Sequence, residues 1–266
     1  MAPAWIELQG TANTRDLGGL PGIAAGVVIR SDNLQDLTPA DVETLTVRHH
    51  VTQVIDLRTP GEAEAEGPTP LQAAGVDYAL LSYVPDLRDP AAGPDERILP
   101  DRAGQDRTSV YLGYLQDCPD AVVESVRRVA HARGATVIHC AAGKDRTGTL
   151  AALLLDVAGV PRADIVADYA ATAEVIDAVM ARLAVRPVYA ADLADVPSVR
   201  HVPQAGTMEE FLEHLHDAWG GAGGWLTAHG LSADDLALVR ARLTAQPGPA
   251  SAPASASGVD YLAGES

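Results

Sequence analysis

Residues 137–148, VIHCAAGKDRTG, bring together side chains that can act on an anion. Cys140 follows an apolar run, small residues come next, and Arg146 stands six positions after the cysteine. A thiolate is a strong nucleophile, and a guanidinium is a planar donor that matches two oxygens of a phosphoryl group. The spacing therefore predicts one loop that contains both a nucleophile and a charge clamp.

The residues between the cysteine and the arginine suit an anion cradle. Ala141, Ala142 and Gly143 allow the backbone to approach a tetrahedral anion closely, and the N–H groups at the start of the next helix would point at it. The same surroundings can lower a cysteine pKa from about 8.5 to roughly 3.5–7.5. We therefore expect Cys140 to attack phosphorus, form a phosphocysteine and release phosphate to water.

The elements around this loop predict an α/β unit. The pattern of 120–134 is typical of an amphipathic helix stopped by Gly134, 135–140 of a β-branched strand, and 147–160 of an apolar core helix. A strand followed by a glycine-bearing turn and a helix is an arrangement that places the turn at the edge of a sheet.

Similar patterns predict the remaining elements. Strands are expected at 26–34, 51–59 and 75–84, helices at 38–48, 109–116 and 163–183, and a solvated helical turn or loop at 61–70. Thr207 with Glu210 predicts a capping box at the start of one further helix, and Ser232 with Asp235 predicts a similar start for the last helix. The C-terminal half should thus be helical.

These elements predict one domain over residues 1–245, with a disordered tail over 246–266, where QPGPASAPASASG is of low complexity. Two segments, 85–108 and 186–206, are long connections rich in proline or charge. Long connections of this kind are often functional, so we expect them to form a lid and to set specificity.

Composition excludes several classes of function. The chain has 19 Lys and Arg against 36 Asp and Glu, a formal net charge of −17, which argues against nucleic-acid binding. Its two cysteines are too few for a disulfide framework, and the eight histidines show no metal-ligand spacing. The sequence shows no signal peptide and no apolar run long enough to span a bilayer, so a cytoplasmic protein without stable membrane insertion is expected.

The motif HCAAGKDRTG (139–148) resembles the H-C-x5-R-[ST] signature of the protein tyrosine phosphatase superfamily. The Lys-Asp pair inside it, together with 13–19, 28–34 and 54–59, is similar to the atypical bacterial tyrosine and phosphoinositide phosphatases. The resemblance covers about residues 10–245. It implies an α/β fold with a central, mostly parallel sheet flanked by helices, and neither a metal nor an organic cofactor.

The resemblance also implies a role for each residue of the loop. Cys140 would be the nucleophile and Arg146 the phosphate clamp; His139 would tune the thiolate through the backbone, Thr147 would hydrogen-bond the leaving sulfur, and Lys144 would add positive charge at the loop rim. The phosphate-binding residues would be Ala141, Ala142, Gly143, Lys144, Thr147 and Gly148. His139, Asp56 and Arg15 would support them.

The general acid has three candidates. We favour Asp145, which the Lys-Asp pair suggests, over Asp86, which follows a predicted strand where superfamily members usually carry a movable acid. Asp56 is the third. Arg15, with its neighbours Asn13 and Asp16, is expected to brace the phosphate loop or the fold rather than touch substrate.

The substrate is a phosphorylated molecule whose class the sequence leaves open. A phosphotyrosine protein, a phosphoinositide and a small nucleoside or sugar phosphate all remain, because arginines and aspartates alternate in 85–108. Two alternatives to a phosphatase are a catalytically idle phosphate-binding module and an arsenate- or sulfur-handling enzyme with a similar loop. The high Ala, Gly and Pro content hints at a bacterial source, and no oligomeric state is predicted.

Overall fold

A six-stranded sheet lies at the centre of the computed structural model, which describes residues 3–85, 106–193 and 198–245. The strands are Ala4–Trp5 (β1), Arg15–Asp16 (β2), Val28–Ser31 (β3), Val51–Asp56 (β4), Asp77–Leu80 (β5) and Ala135–His139 (β6). Their spatial order is β1-β2-β3-β6-β4-β5. Strands β3, β6, β4 and β5 pair in parallel, and β1 and β2 add antiparallel pairs at one edge, so the predicted mostly parallel sheet is confirmed.

Helices cover both faces of the sheet, as expected for parallel strands. They are Pro39–Glu43 (α1), Pro60–Glu66 (α2), Pro70–Ala73 (α3), Arg107–Asp117 (α4), Pro119–His131 (α5), Asp145–Ala158 (α6), Arg162–Ala171 (α7), Ile176–Ala184 (α8), Pro187–Leu193 (α9), Ala205–Trp219 (α10), Ala222–Ala228 (α11) and Ala233–Thr244 (α12). None of the helices in the described part of the chain combines the length and apolar character needed to cross a bilayer.

The two faces of β6 belong to two different cores. Ile138 packs in the larger core, with side chains of α4 to α7 and α10 to α12, whereas Val137 packs in a smaller core with Leu45 and Leu71. Alternate side chains of a strand point to opposite faces, so a strand covered on both sides reads as a continuous apolar run. This is why 135–140 was recognisable from sequence.

The register brings three residues into one row at the carboxyl edge of the sheet. Ser31 of β3 and Asp56 of β4 both align with His139 of β6. Because parallel strands end together, the loop after β6 lies between the segments that follow β3 and β4. This edge is where the predicted phosphate loop must be placed.

Three helices begin with a Thr-Pro pair and a capping box, in which the threonine accepts a backbone N–H and the third helical residue returns a bond to the threonine N–H. The pairs are Thr38 with Asp41, Thr59 with Glu62, and Thr69 with Gln72. The helix expected at 38–48 begins at the first of these pairs and continues as a π-helical stretch to Arg48. The second pair starts α2 in the segment 61–70, which was expected to be a solvated helical turn or loop, and the third pair starts α3 at the end of that segment.

The capping box predicted at Thr207 is wrong. Helix α10 begins earlier, at Ala205, and no side chain caps its first turn. The Glu210 carboxylate instead accepts a hydrogen bond of 2.8 Å from the hydroxyl of Thr108, in α4. A contact between two helices has replaced the local one. At α12 the predicted cap is confirmed, since the Ser232 side chain accepts the Asp235 N–H.

Two predicted boundaries also differ from the structure. The single helix expected at 163–183 is two helices, α7 and α8, separated by a 3-10 turn, Thr172–Glu174. The connector expected at 186–206 contains helix α9 and a 3-10 turn, Ser198–His201. The tail at 246–266 and most of the predicted lid, 86–105, lie outside the described residues.

Candidate active site

The loop that joins β6 to α6 contains Cys140 to Lys144 and lies at the carboxyl edge of the sheet. Cys140 is buried, with 2% of its surface exposed. Gly143 adopts φ +65°, and a Cβ at this position would lie 2.5 Å from the carbonyl oxygen of Ser31. Only glycine fits this conformation and this approach, so the loop can pack against the end of β3.

Arg146 lies in the first turn of α6 and is held by Glu62 of α2. Its Nη1 and Nη2 donate to the two carboxylate oxygens of Glu62, at 2.6 and 2.9 Å. Burial raises the pKa of Glu62, but the charge and hydrogen bonds of Arg146, together with the bonds from Thr59, outweigh burial and lower the pKa of this carboxyl. The Glu62 carboxylate also accepts the N–H of Thr59, so the capping box of α2 fixes the partner that orients the guanidinium.

Sequence analysis missed the role of Glu62. The pattern Thr59-Pro60 followed by Glu62 could have located the helix start. Nothing in the sequence indicates that this glutamate meets an arginine 84 positions away.

His139 is fully buried beneath the loop. Its Nδ1 lies 3.2 Å from the carbonyl oxygen of Cys140, an acceptor, so Nδ1 is assigned the hydrogen. Its Nε2 lies 3.5 Å from a carboxylate oxygen of Asp56. Burial lowers the pKa of His139 to about 4, although the charge of Asp56 opposes this change. The imidazole is therefore neutral at physiological pH and holds the backbone of the cysteine.

Asp56 occupies a fully buried position with several donors. It accepts bonds of 3.0 and 2.6 Å from Nε and Nη2 of Arg58, and one of 2.8 Å from the hydroxyl of Tyr78. Burial raises its pKa, but His139 and Arg58 outweigh burial and bring it to about 2. The oxygens of this carboxylate are thus bound by Arg58 and Tyr78 at a position without solvent exposure. These surroundings suit a supporting role for Asp56 and not that of the third candidate acid.

The burial of His139 predicts a pH-dependent stability. The pKa of His139 in the folded protein is below the ordinary 6.5, so the unfolded chain binds this proton more readily. The free energy of unfolding should therefore be highest above pH 6.5 and should decrease as the pH falls toward 4. A shift of this size corresponds to a loss on the order of 3 kcal/mol. Denaturant unfolding of wild type and His139→Gln at pH 7, 5.5 and 4.5 should show a steeper loss in wild type. An equal loss of unfolding free energy between pH 7 and pH 4.5 in the two proteins would contradict the assignment of a neutral buried imidazole.

The carbonyl groups of the loop are held from below by two buried side chains. Nδ2 of Asn13 donates to the carbonyl oxygens of Ala142 and Gly143, at 3.0 and 3.2 Å. Nη2 of Arg30 donates to the Gly143 carbonyl oxygen at 2.8 Å. When carbonyls are bound on one side, the peptide N–H groups are free to point to the other, where an anion would lie.

Asp168 of α7 organises these braces. Its carboxylate accepts Nε of Arg15 at 2.9 Å and Nη1 of Arg30 at 2.5 Å. Nη1 of Arg15 in turn donates to the Asn13 side-chain oxygen at 2.5 Å. Arg15 thus lies behind the loop and is linked to it through Asn13 and, by way of Asp168, through Arg30. Arg30 and Asp168 were not singled out from sequence, because 138 positions separate them.

Removing one of these braces should impair activity more than stability. The substitution Asn13→Asp keeps an oxygen for Arg15 but replaces the amide donor with a carboxylate that repels two carbonyls. We expect kcat/KM to fall about 100-fold, since small displacements of a catalytic loop have effects of this size. Steady-state kinetics and the denaturant midpoint, measured together, check this. An unchanged kcat/KM would show that the amide does not position the loop.

Lys144 is not a solvated residue at the rim. Only 3% of it is exposed, and its Nζ donates to the carbonyl oxygen of His201 at 2.8 Å. This bond ties the loop to the turn Ser198–His201, inside the segment expected to set specificity. Nζ also lies 3.5 Å from the Asp145 carboxylate. The turn covers the lysine, a contact between segments that are distant in sequence.

Asp145, the favoured acid, is held by three groups. The hydroxyl of Tyr111 donates to it at 2.6 Å, and Nη1 of Arg107 lies 3.6 Å away. Burial raises its pKa, but Lys144 and Arg107 outweigh burial and lower it. The Tyr111 hydroxyl also bonds the hydroxyl of Tyr169 at 2.7 Å. Asp86, the alternative acid, lies outside the described residues.

The remaining loop residues close the site. Thr147 is fully buried, and its hydroxyl has no hydrogen-bond partner among the described residues, so it is available to a neighbouring group. Ala141 accepts the N–H of Asn33 at 2.9 Å, which ties the loop to the end of β3. A Cβ on Gly148 would meet the ring of Tyr169 at 3.0 Å, so a small residue is needed where α6 packs on α7.

Comparison with known proteins gives a consistent result. The sequence profile of a family described as the tyrosine phosphatase family matches residues 6–245. The chain is similar to a tyrosine-protein phosphatase of Nostoc commune, with 34% identity over 235 residues, 83% of this chain and 75% of the relative. It is also similar to the triple specificity protein phosphatase PtpB of Mycobacterium tuberculosis, with 28% identity over 262 residues, 85% and 94% of the two chains.

Proposed function

Because the chain belongs to the tyrosine phosphatase family and is a phosphatase that hydrolyses phosphate esters, we propose that it acts through a phosphocysteine on Cys140. The observation that carries this proposal is the loop itself: a buried cysteine, a guanidinium held in a fixed plane, and carbonyls bound from behind. These are a nucleophile, a clamp and an oriented set of N–H donors in one turn.

The first step transfers the phosphoryl group to sulfur. The thiolate of Cys140 attacks phosphorus, the bond to the leaving oxygen breaks, and a general acid gives that oxygen its proton. Arg146 binds two of the phosphoryl oxygens, while Glu62 keeps its plane fixed. Because the loop carbonyls are already bound from behind, little reorganisation is needed as charge moves onto the phosphoryl oxygens.

The second step hydrolyses the phosphocysteine. Water attacks phosphorus and gives a proton to the carboxylate that acted as the acid in the first step, the S–P bond breaks, and the thiolate returns. The buried hydroxyl of Thr147, without a described partner, is proposed to donate to the departing sulfur. His139 acts through the backbone of Cys140, where its neutral imidazole holds the carbonyl, and is a positioning residue.

Asp145 is the proposed proton donor. In the free protein its pKa is lowered, so the protonated, active form is most populated at acidic pH. A bound phosphate dianion nearby raises that pKa and assists protonation. We therefore expect kcat/KM to fall as pH rises from an acidic optimum, which gives the pH–rate profile a descending basic limb. In Asp145→Asn this limb should vanish, and kcat/KM at the optimum should be about 100- to 10,000-fold lower than in wild type.

The matched comparison is Asp86→Asn. Both variants remove one carboxylate, and pH–rate profiles with an activated and an unactivated aryl phosphate distinguish them, because a good leaving group needs little protonation. Loss of the limb in Asp86→Asn, with the limb retained in Asp145→Asn, would reverse the assignment.

A phosphotyrosine protein is the substrate class we propose first. This proposal is supported by the relative named as a tyrosine-protein phosphatase. The other relative is named for triple specificity, so further substrate classes are retained as alternatives. Phosphoinositides and small nucleoside or sugar phosphates are the alternatives. We place this activity in the cytoplasm of a bacterium.

A substrate panel tests this proposal. Phosphate release would be measured with a phosphotyrosine peptide, the same peptide carrying phosphoserine, a soluble phosphoinositide, and nucleoside and sugar monophosphates. We expect the highest kcat/KM on the phosphotyrosine peptide. A higher value on the phosphoinositide or on a monophosphate would move the assignment to that class.

A further inference from the structure

A cavity of about 800 Å³ lies at the opposite end of the sheet from Cys140. Its lining includes Val27, His50 and Gly134, which stand just before β3, β4 and β6. We call it the amino-edge cavity. The five residues of β6 separate it from the catalytic loop, a distance of about 16 Å at roughly 3.3 Å per residue. Its contents therefore cannot touch a substrate at Cys140.

Three arginines line the amino-edge cavity: Arg48, Arg133 and Arg242. Within the described residues none of them forms an ion pair, whereas Arg182 and Arg186 both pair with Asp36. The contrast is informative in a chain of net charge −17, where carboxylates are abundant. Three guanidinium charges therefore lie around one cavity, and none of them is paired with a carboxylate of the described residues.

Among the described residues of the lining, Asp16 is the single carboxylate, and it is already engaged. Asp16 accepts the N–H of Gly18 at 2.8 Å and that of Gly26 at 2.6 Å, so its oxygens are bound to the backbone at the cavity wall. It offsets one positive charge at most. Three guanidinium groups against one carboxylate leave an excess of about two positive charges for an incoming anion.

Arg242 has a donor that is not satisfied. Its Nη2 donates to the carbonyl oxygen of Gly134, but its Nε is buried without a partner among the described residues. Burial also lowers the pKa of this guanidinium. An anion in the cavity, beside this guanidinium, would offset the unfavourable burial of its charge.

The rest of the lining is apolar. Ala24, Ala25, Ala130 and Leu238 contribute side chains, and His49 and His50 add rings at the rim. A volume of this size with an apolar wall and a few convergent charges is typical of sites for small organic ligands. Inorganic anions would use the arginines but leave the apolar wall in contact with water.

We propose that the amino-edge cavity binds a small organic phosphate, with the phosphate on Arg48, Arg133 and Arg242 and an apolar or aromatic body against Ala24, Ala25 and Leu238. This site is separate from the catalytic loop, and the proposal does not rest on the catalytic roles given above. The chemistry required is a phosphate or diphosphate group attached to a body about the size of a nucleoside.

Calorimetric titration of the full chain tests the proposal. The probes are α,β-methylene-ADP, which resists hydrolysis between its phosphates, methylenediphosphonate, which lacks the body, and adenosine, which lacks the charge. We expect saturable binding of the first, with weaker binding of the other two. The substitutions Arg48→Gln and Arg133→Gln, at exposed positions that tolerate change, should each weaken binding about tenfold, as expected for loss of a charge-assisted bond.

Two controls locate the site. Arg162→Gln removes an exposed arginine that lines no part of this cavity, and Arg146→Lys alters the catalytic loop; both should leave the affinity for α,β-methylene-ADP within about twofold. No saturable binding at millimolar concentration would overturn the proposal. So would binding that Arg146→Lys weakens and the cavity variants do not, because the nucleotide would then lie in the catalytic loop. Equal affinity for methylenediphosphonate would overturn the role given to the apolar wall.

Discussion

Replacing Cys140 by serine should abolish phosphate-ester hydrolysis while the loop still binds phosphate or vanadate. A serine hydroxyl is a far weaker nucleophile than a cysteine sulfur, so the covalent step should fail. Loss of a nucleophile typically lowers kcat by about 10⁴-fold or more. The loop donors and Arg146 are unchanged, so oxyanion affinity should stay within a few-fold of wild type.

The matched control for this substitution is Cys118→Ser. Cys118 lies at the end of α4, outside the catalytic loop, and is the only other cysteine in the chain. Its replacement should leave kcat/KM close to wild type. Initial rates and a vanadate dissociation constant would be measured for both variants. Substantial turnover by the Cys140 variant would exclude covalent catalysis by the thiol.

The second large effect is expected for Arg146→Lys. An ammonium is a point charge and cannot donate two parallel bonds to a phosphoryl group, nor can it keep the bidentate contact with Glu62. We expect kcat/KM to fall about 100- to 1,000-fold, the range seen when one oriented donor to a transition-state oxyanion is removed.

Oxyanion binding separates this effect from a general loss of charge. Vanadate affinity should fall along with kcat/KM in Arg146→Lys, since both depend on the two parallel bonds that the Arg146 guanidinium donates. The surface arginine Arg128, which pairs with Glu124 on α5, provides a control substitution to lysine that should change neither quantity. Near-normal kinetics in Arg146→Lys would remove the clamp from the mechanism.

The loop was predictable from sequence because its signals are local. A β-branched run, a cysteine, small residues and a helix of apolar residues follow each other within about twenty positions, and each has a physical meaning by itself. The mostly parallel sheet was expected from the resemblance to the phosphatase superfamily and not from the pattern itself. The row formed by Ser31, Asp56 and His139 is a consequence of strands that end together.

The supporting contacts were not predictable because they join distant segments. Glu62 reads as the third residue of an exposed helix, and Asp168 as an ordinary residue of a helical stretch, until the fold sets them against Arg146 and Arg30. Lys144 reads as a surface charge, because only the turn at Ser198–His201 covers it. These residues acquire their roles from tertiary structure and not from their neighbours.

Local rules also failed where a tertiary contact competed with them. Glu210 was expected to complete a capping box with Thr207 but instead accepts from Thr108. The break between α7 and α8 occurs at Thr172, whose hydroxyl accepts a bond of 3.2 Å from Arg15 beneath the loop. The helix end therefore serves the network that holds the catalytic loop, which periodicity alone does not reveal.

Trapping of the intermediate tests the central claim most directly. Wild-type protein mixed with an activated aryl phosphate would be quenched in acid within milliseconds, digested and analysed by mass spectrometry. Phosphocysteine catalysis predicts a phosphoryl group on the peptide that contains Cys140, with none on that peptide in Cys140→Ser. Full turnover without a phosphorylated peptide at any quench time, or a phosphoryl group on another residue, would contradict it.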